Sequence, residues 1–188
     1  FNRVGVITDI MVVVRINISS KNRLPDLWEE IQPDFPMPSP RTYQAEALSV
    51  IKWALDNDDF DNIIIQAPTG IGKSAIAMTL QKWFQSAYLL APSLGLTEQY
   101  KRDYGSSLKE IKGRNNFPCW VKEGTADGAP CYGAKRSCPH TKEADPCPYY
   151  AQKFEAANSR LVLSNPAYLF RLIQGDQNFG QREFTIVD

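Results

Sequence analysis

The stretch Ile63-Ile64-Ile65-Gln66-Ala67-Pro68-Thr69-Gly70-Ile71-Gly72-Lys73-Ser74 sets three β-branched residues ahead of a glycine-bearing loop and a Lys-Ser pair. A short β-branched run bounded by turn formers has the pattern of a strand buried on both faces of a parallel sheet. Helical spacing begins at Ser74 and runs to Phe84. A loop between such a strand and a helix N-terminus can aim backbone N–H groups at phosphate oxygens, and Gly70 and Gly72 let the backbone come close. Lys73 then supplies a point charge to the β- and γ-phosphates of ATP, and the Ser74 hydroxyl is a ligand for the bridging Mg2+. Thr69 belongs to the same loop. The general pattern is G-x-x-x-x-G-K-[ST], and Ala67 stands at its first position. A chance glycine-rich turn is the bland alternative; the strand before the loop and the helix after it argue against that.

Outward from the loop, strands and helices alternate. Tyr43–Leu55 places Ala47, Leu48, Ile51, Ala54 and Leu55 at helical spacing. Ala87–Ala91 reads as a strand, Leu94–Tyr104 as a helix, Tyr149–Ala157 as a helix, Leu161–Ser164 as a strand, Ala167–Ile173 as a helix and Phe184–Val187 as a last strand. This order predicts a doubly wound α/β parallel sheet of the P-loop type. The last strand delivers Asp188 at its C-terminal end, where parallel sheets place their chemistry, so Asp188 is the candidate Mg2+ carboxylate. An ordinary strand followed by a turn is the alternative for that residue.

The 188 residues hold 21 basic and 21 acidic side chains, so no global positive field marks the chain as a nucleic-acid binder. Any such contact must be local. Val4–Ile18 is apolar but interrupted by Asp9, Arg15 and Asn17, and reads as a strand rather than a membrane span or leader. The protein is expected to be intracellular, in cytoplasm or nucleus, with no membrane partner. Prolines crowd 25–40, which reads as a lead-in.

Cys119, Cys131, Cys138 and Cys147 all fall in one window, separated by eleven, six and eight residues, where apolar periodicity vanishes. Four thiolates are the ligand set of a 4Fe-4S cluster or a tetrahedral zinc site. The spacing lacks the C-x-x-C knuckles common in zinc modules. His140, the only histidine, keeps a Cys/His zinc site open, and disulfides or unrelated free thiols remain as further readings. Lys101, Arg102, Lys109, Lys112, Arg114 and Lys122 make the approach to this window basic, with Phe117 and Trp120 as stacking surfaces for a single strand. Acidic neighbours Asp103 and Glu110 favour a plain solvated face for Lys101, Arg102 and Lys109.

The opening Ala-Pro-Thr-Gly resembles motif I of superfamily 2 helicases. Arg41-Thr42-Tyr43-Gln44 resembles their R-x-x-Q element, and Leu89–Gln99 resembles motif Ia. Gly113–Cys119, the later cysteines and Ser164–Phe170 are similar to the XPD/DinG branch of iron–sulfur DNA helicases. The resemblance covers roughly 35–188. It implies a RecA-like first motor domain interrupted by a 4Fe-4S insertion, with 37–112 and 151–188 as motor and 113–150 as insertion; the segment 1–36 is a lead-in that the resemblance does not cover. It further implies that Arg41 and Gln44 contact adenine, that Thr97 and Arg114 face nucleic acid, and that the parent moves 5′ to 3′ on single-stranded or forked DNA. A second motor domain of the same parent, carrying an arginine finger, is the implied partner; the sequence leaves the oligomeric state open, with a monomer favoured. With Asp188 last in the numbered sequence, the stretch is expected to bind ATP without efficient turnover by itself.

Overall fold

The computed structural model describes residues 26–41, 43–57, 63, 65, 70–132, 138–175 and 182–188. The expected strand at Val4–Ile18 and the loop residues Ala67, Pro68 and Thr69 lie outside them, as does Ile64; Ile63 and Ile65 are half-buried and outside any strand. The chain divides into two compact units between Leu80 and Gln81, a boundary inside the segment 37–112.

In the first unit, α1 (Trp28–Ile31) and a 3-10 turn at Gln32–Asp34 form within the proline-rich lead-in. Pro33 sits in the first positions of that turn, where its missing N–H costs nothing. The turn brings Trp28 edge-on to Phe35, with ring centroids 5.3 Å apart. Helix α2 (Gln44–Asp56) buries Ala47, Leu48, Ile51 and Ala54 along one stripe, and Ser49 Oγ accepts the backbone N–H of Leu27 at 3.1 Å. Helix α3 (Lys73–Leu80) buries every residue from Ala75 onward.

The second unit is built on a four-stranded sheet: β1 (Ala87–Leu90), β2 (Lys109–Ile111), β3 (Leu161–Ser164) and β4 (Phe184–Val187), in the order β2-β3-β1-β4 and parallel throughout. Each parallel step needs a crossover, and α4 (Leu94–Tyr104), α5 (Pro148–Ala157) and α6 (Pro166–Gly175) supply them. The central strands β1 and β3 are buried at every position. Tyr88, Leu90, Ile111, Ala156, Val162, Leu169 and Leu172 form one core. β2 is a short polar edge strand that the hydrophobic pattern conceals. The Gln152 side-chain amide extends its hydrogen bonding, accepting from Lys112 N at 2.9 Å and donating to Lys112 O at 2.7 Å.

Arg182 closes the end of α5. It donates to the carbonyls of Ala156, Ala157 and Ser159, and its guanidinium lies 5.5 Å from the centre of the Tyr88 ring. Charged donors on the last carbonyls of a helix stabilise it. Arg182→Ala is therefore expected to cost about 2 kcal/mol in urea unfolding, the scale of lost charge-assisted hydrogen bonds.

Candidate functional site

The phosphate-type loop is held by α2. Tyr43 adopts a left-handed conformation (φ 69°) just before the helix, and Gln44 folds its side chain back at the first helical position. Its Oε1 accepts Arg41 N at 2.6 Å, while Nε2 donates to Ile71 O at 2.8 Å and Gly72 O at 3.1 Å. Arg41 Nη1 donates to Gly70 O at 2.8 Å. Three successive loop carbonyls are thus turned toward the Arg41–Gln44 element. Gly70 and Gly72 both take positive φ, 84° and 86°, a region that costs a side-chain-bearing residue about 1–2 kcal/mol. Gly72 O accepts from Ala75 N and Ile76 N, starting α3 with Lys73 and Ser74 in its first turn.

Gln44 is only 2 % exposed, and both hydrogens of its amide go to the loop backbone. The structure therefore makes it a brace for the loop, whereas the exposed guanidinium of Arg41 keeps further donors available. No sequence pattern alone couples residues 27 and 28 positions apart.

In the second unit all four strands run the same way, so the segments after them share one rim: Ala91–Ser93, Lys112–Gly113, Asn165 and Asp188. Ser93 caps α4, accepting Leu96 N at 3.2 Å. Asn165 reaches Pro92 O at 3.5 Å and accepts Ala167 N at 2.9 Å. Asp188 N donates to Leu90 O at 3.1 Å, and the Asp188 Oδ2 accepts the Tyr100 hydroxyl at 2.6 Å. Asp188 forms no ion pair among the described residues. An oriented carboxylate at the end of a parallel strand suits a hard cation such as Mg2+.

Thr97 is 8 % exposed and its hydroxyl returns to Ser93 O at 3.0 Å, a bond within its own helix. The outward positions of this turn are Ser93, Leu94 and Gly95. The basic approach is neutralised locally, as its acidic neighbours imply: Lys101 pairs with Glu98 and Glu110, Arg102 with Asp103 and Lys112 with Glu110, while Lys109 pairs with Glu155. The hydrogen bonds to Glu98 and Glu110 raise the Lys101 pKa.

Among the described residues of 113–147, 3-10 turns surround a small aromatic core. Ala126, Cys147 and Tyr149 are buried, with Phe117, Tyr150 and Tyr168 packed against them. Arg114 turns into this core rather than outward. Its guanidinium lies 4.2 Å from the Tyr149 ring centre and 5.3 Å from those of Tyr132 and Tyr150, and it donates to Tyr150 Oη at 3.1 Å and Cys131 Sγ at 3.4 Å. Burial opposes its charge, but the hydrogen bonds to Cys131 and Tyr150 outweigh that and raise its pKa. Burial and the hydrogen bond with Tyr149 push the Tyr168 hydroxyl well up. Trp120 stays exposed, edge-on to His140 at 5.2 Å, whereas Phe117 packs against Tyr149.

Four thiols suit an iron–sulfur or zinc site chemically, and all four cysteines are free. Their placement does not assemble one: among the described residues no three Cys, His, Asp or Glu side chains converge at metal-binding distance. Cys131 lies against the Arg114 guanidinium, and Cys147 is buried beside Ala126 and Tyr149.

A glycine-bearing loop at a helix start in one unit, and a parallel sheet with a carboxylate at its rim in the other, are each features found in P-loop nucleotide-binding domains. The family model described as type III restriction enzyme, res subunit, matches residues 37–188. The chain belongs to that family, whose domain is of the superfamily 2 helicase type. ATP with Mg2+, and nucleic acid as partner, are what such a domain implies. No curated protein and no solved structure matches the chain significantly. No helix among the described residues is long and apolar enough to cross a membrane.

Proposed function

We propose that the chain binds ATP on the loop at Gly70–Ser74 as part of a motor that moves on DNA. The observation that carries this reading is the bracing of Gly70, Ile71 and Gly72 carbonyls by Arg41 and Gln44. Backbone carbonyls committed to the brace leave the opposite, N–H side of the loop for an anion. Lys73 then meets the β- and γ-phosphates, Ser74 and Asp188 keep their metal roles, and Arg41 lies on the base side. Thr69 completes the loop in this reading.

DNA is proposed to run over the sheet rim at Ser93–Gly95, with Trp120 as a stacking surface. In the XPD/DinG-like version of this function, the parent translocates 5′ to 3′, a second motor domain supplies the arginine finger, and the 113–150 lobe carries a 4Fe-4S cluster near strand separation. The clustering of four cysteines supports the cluster. Holding it requires the thiols to gather. Anaerobically purified protein then is brown, absorbs near about 400 nm and carries about four irons per chain. Colourless protein with one zinc supports the zinc-stapled alternative, and metal-free protein with four reactive thiols removes both.

A further inference from the structure

We propose that Tyr100 is the positioning residue for the metal carboxylate Asp188, an inference that rests on the metal role proposed above for Asp188. Tyr100 lies on α4 with its whole side chain buried, and its hydroxyl donates to Asp188 Oδ2 at 2.6 Å. The two residues are 88 positions apart, so the contact depends on the packing of segments distant in sequence.

The carboxylate is held on two sides. Its backbone N–H is tied to Leu90 O at the end of β1, which fixes where the residue leaves the sheet. The phenol then fixes rotation about the side-chain bonds, because one oxygen is occupied by a donor that is itself locked in the core. A neutral phenol donor leaves the negative charge in place and directs the other oxygen, Oδ1, to a cation. An oriented carboxylate presents that oxygen without first losing rotamer freedom, and outer partners of this kind typically change metal affinity by 10–100-fold.

The same bond ties Asp188 to the helix whose first turns belong to the Leu89–Gln99 stretch read as nucleic-acid facing. α4 starts at the Ser93 cap, and Tyr100 lies two turns along it from that rim.

Tyr100→Phe removes the donor and keeps the ring. The test is the affinity of the chain for a fluorescent ATP analogue, measured in Mg2+ and in EDTA, for the unaltered chain, Tyr100→Phe, Asp188→Asn and the double variant. The expected result is about a tenfold loss for Tyr100→Phe in Mg2+, no loss in EDTA, and no further loss when Asp188→Asn is already present. An equal loss in EDTA, an undiminished loss in the Asp188→Asn background, or no loss in Mg2+ overturns the proposal. If Asp188→Asn alone leaves the Mg2+ dependence intact, the metal role of Asp188 fails first, and that arm identifies the failure. Should Tyr100→Phe be too unstable to assay, the Cζ resonance of Tyr100 in the unaltered chain is expected to move on adding nucleotide in Mg2+ but not in EDTA. A resonance that stays still in both overturns the proposal as well.

Discussion

Gly72→Ala is expected to cost the first unit about 3 kcal/mol, whereas Gly70→Ala costs about 1 kcal/mol, the backbone term alone. Both glycines take positive φ. A Cβ at Gly70 meets nothing within 4 Å, but one at Gly72 falls 2.4 Å from Gln44 Nε2. That amide is not a loose side-chain end. Gln44 is buried, its nitrogen donates to two carbonyls and its oxygen accepts Arg41 N. To admit a methyl group it must leave the loop, forfeiting hydrogen bonds worth about 1 kcal/mol each. Urea unfolding of the two variants checks the contrast; equal costs would mean that Gln44 yields freely.

Lys73→Ala is expected to weaken ATP binding by about a hundredfold while leaving the fold intact. Lys73 opens α3, and the buried part of that helix begins only at Ala75, so the substitution removes no core packing. Truncating one partner of a hydrogen-bonded charge pair costs about 3 kcal/mol, which is roughly two decades in affinity. Unchanged melting with lost nucleotide affinity separates this from Gly72→Ala, where stability and binding fall together.

Buried apolar runs made much of the fold readable. Leu161–Ser164 and Phe184–Val187 are strands with the expected limits, and Leu94–Tyr104 is a helix with the expected limits. β2 escaped because Lys109-Glu110-Ile111 has too little apolar content to signal a strand. It is held by β3 on one side and by the Gln152 amide beyond Ile111. α1 escaped because prolines dominate its surroundings, although Pro33 stands where a turn accepts it.

For the site, the loop pattern singles out Gly70, Gly72, Lys73 and Ser74, and the structure has both glycines at positive φ and Lys73 and Ser74 in the first turn of α3. The pattern could not show that Gln44 faces the loop, nor that Tyr100 meets Asp188, because both depend on packing between distant segments. Thr97 and Arg114 show the opposite limit. Each looked outward by analogy, yet Thr97 is spent on Ser93 O and Arg114 on an aromatic cage. A serine followed by a helical run did carry the signal for the Ser93 cap. The cysteine spacing named a donor set without deciding where the thiols lie.

The central claim is nucleotide binding at the braced loop, and calorimetric titration of the chain with Mg2+ and a non-hydrolysable ATP analogue tests it most directly. Saturable binding of one nucleotide per chain is expected, weakened about a hundredfold by Lys73→Ala. No binding by the unaltered chain, or equal binding by the Lys73→Ala chain, would contradict it.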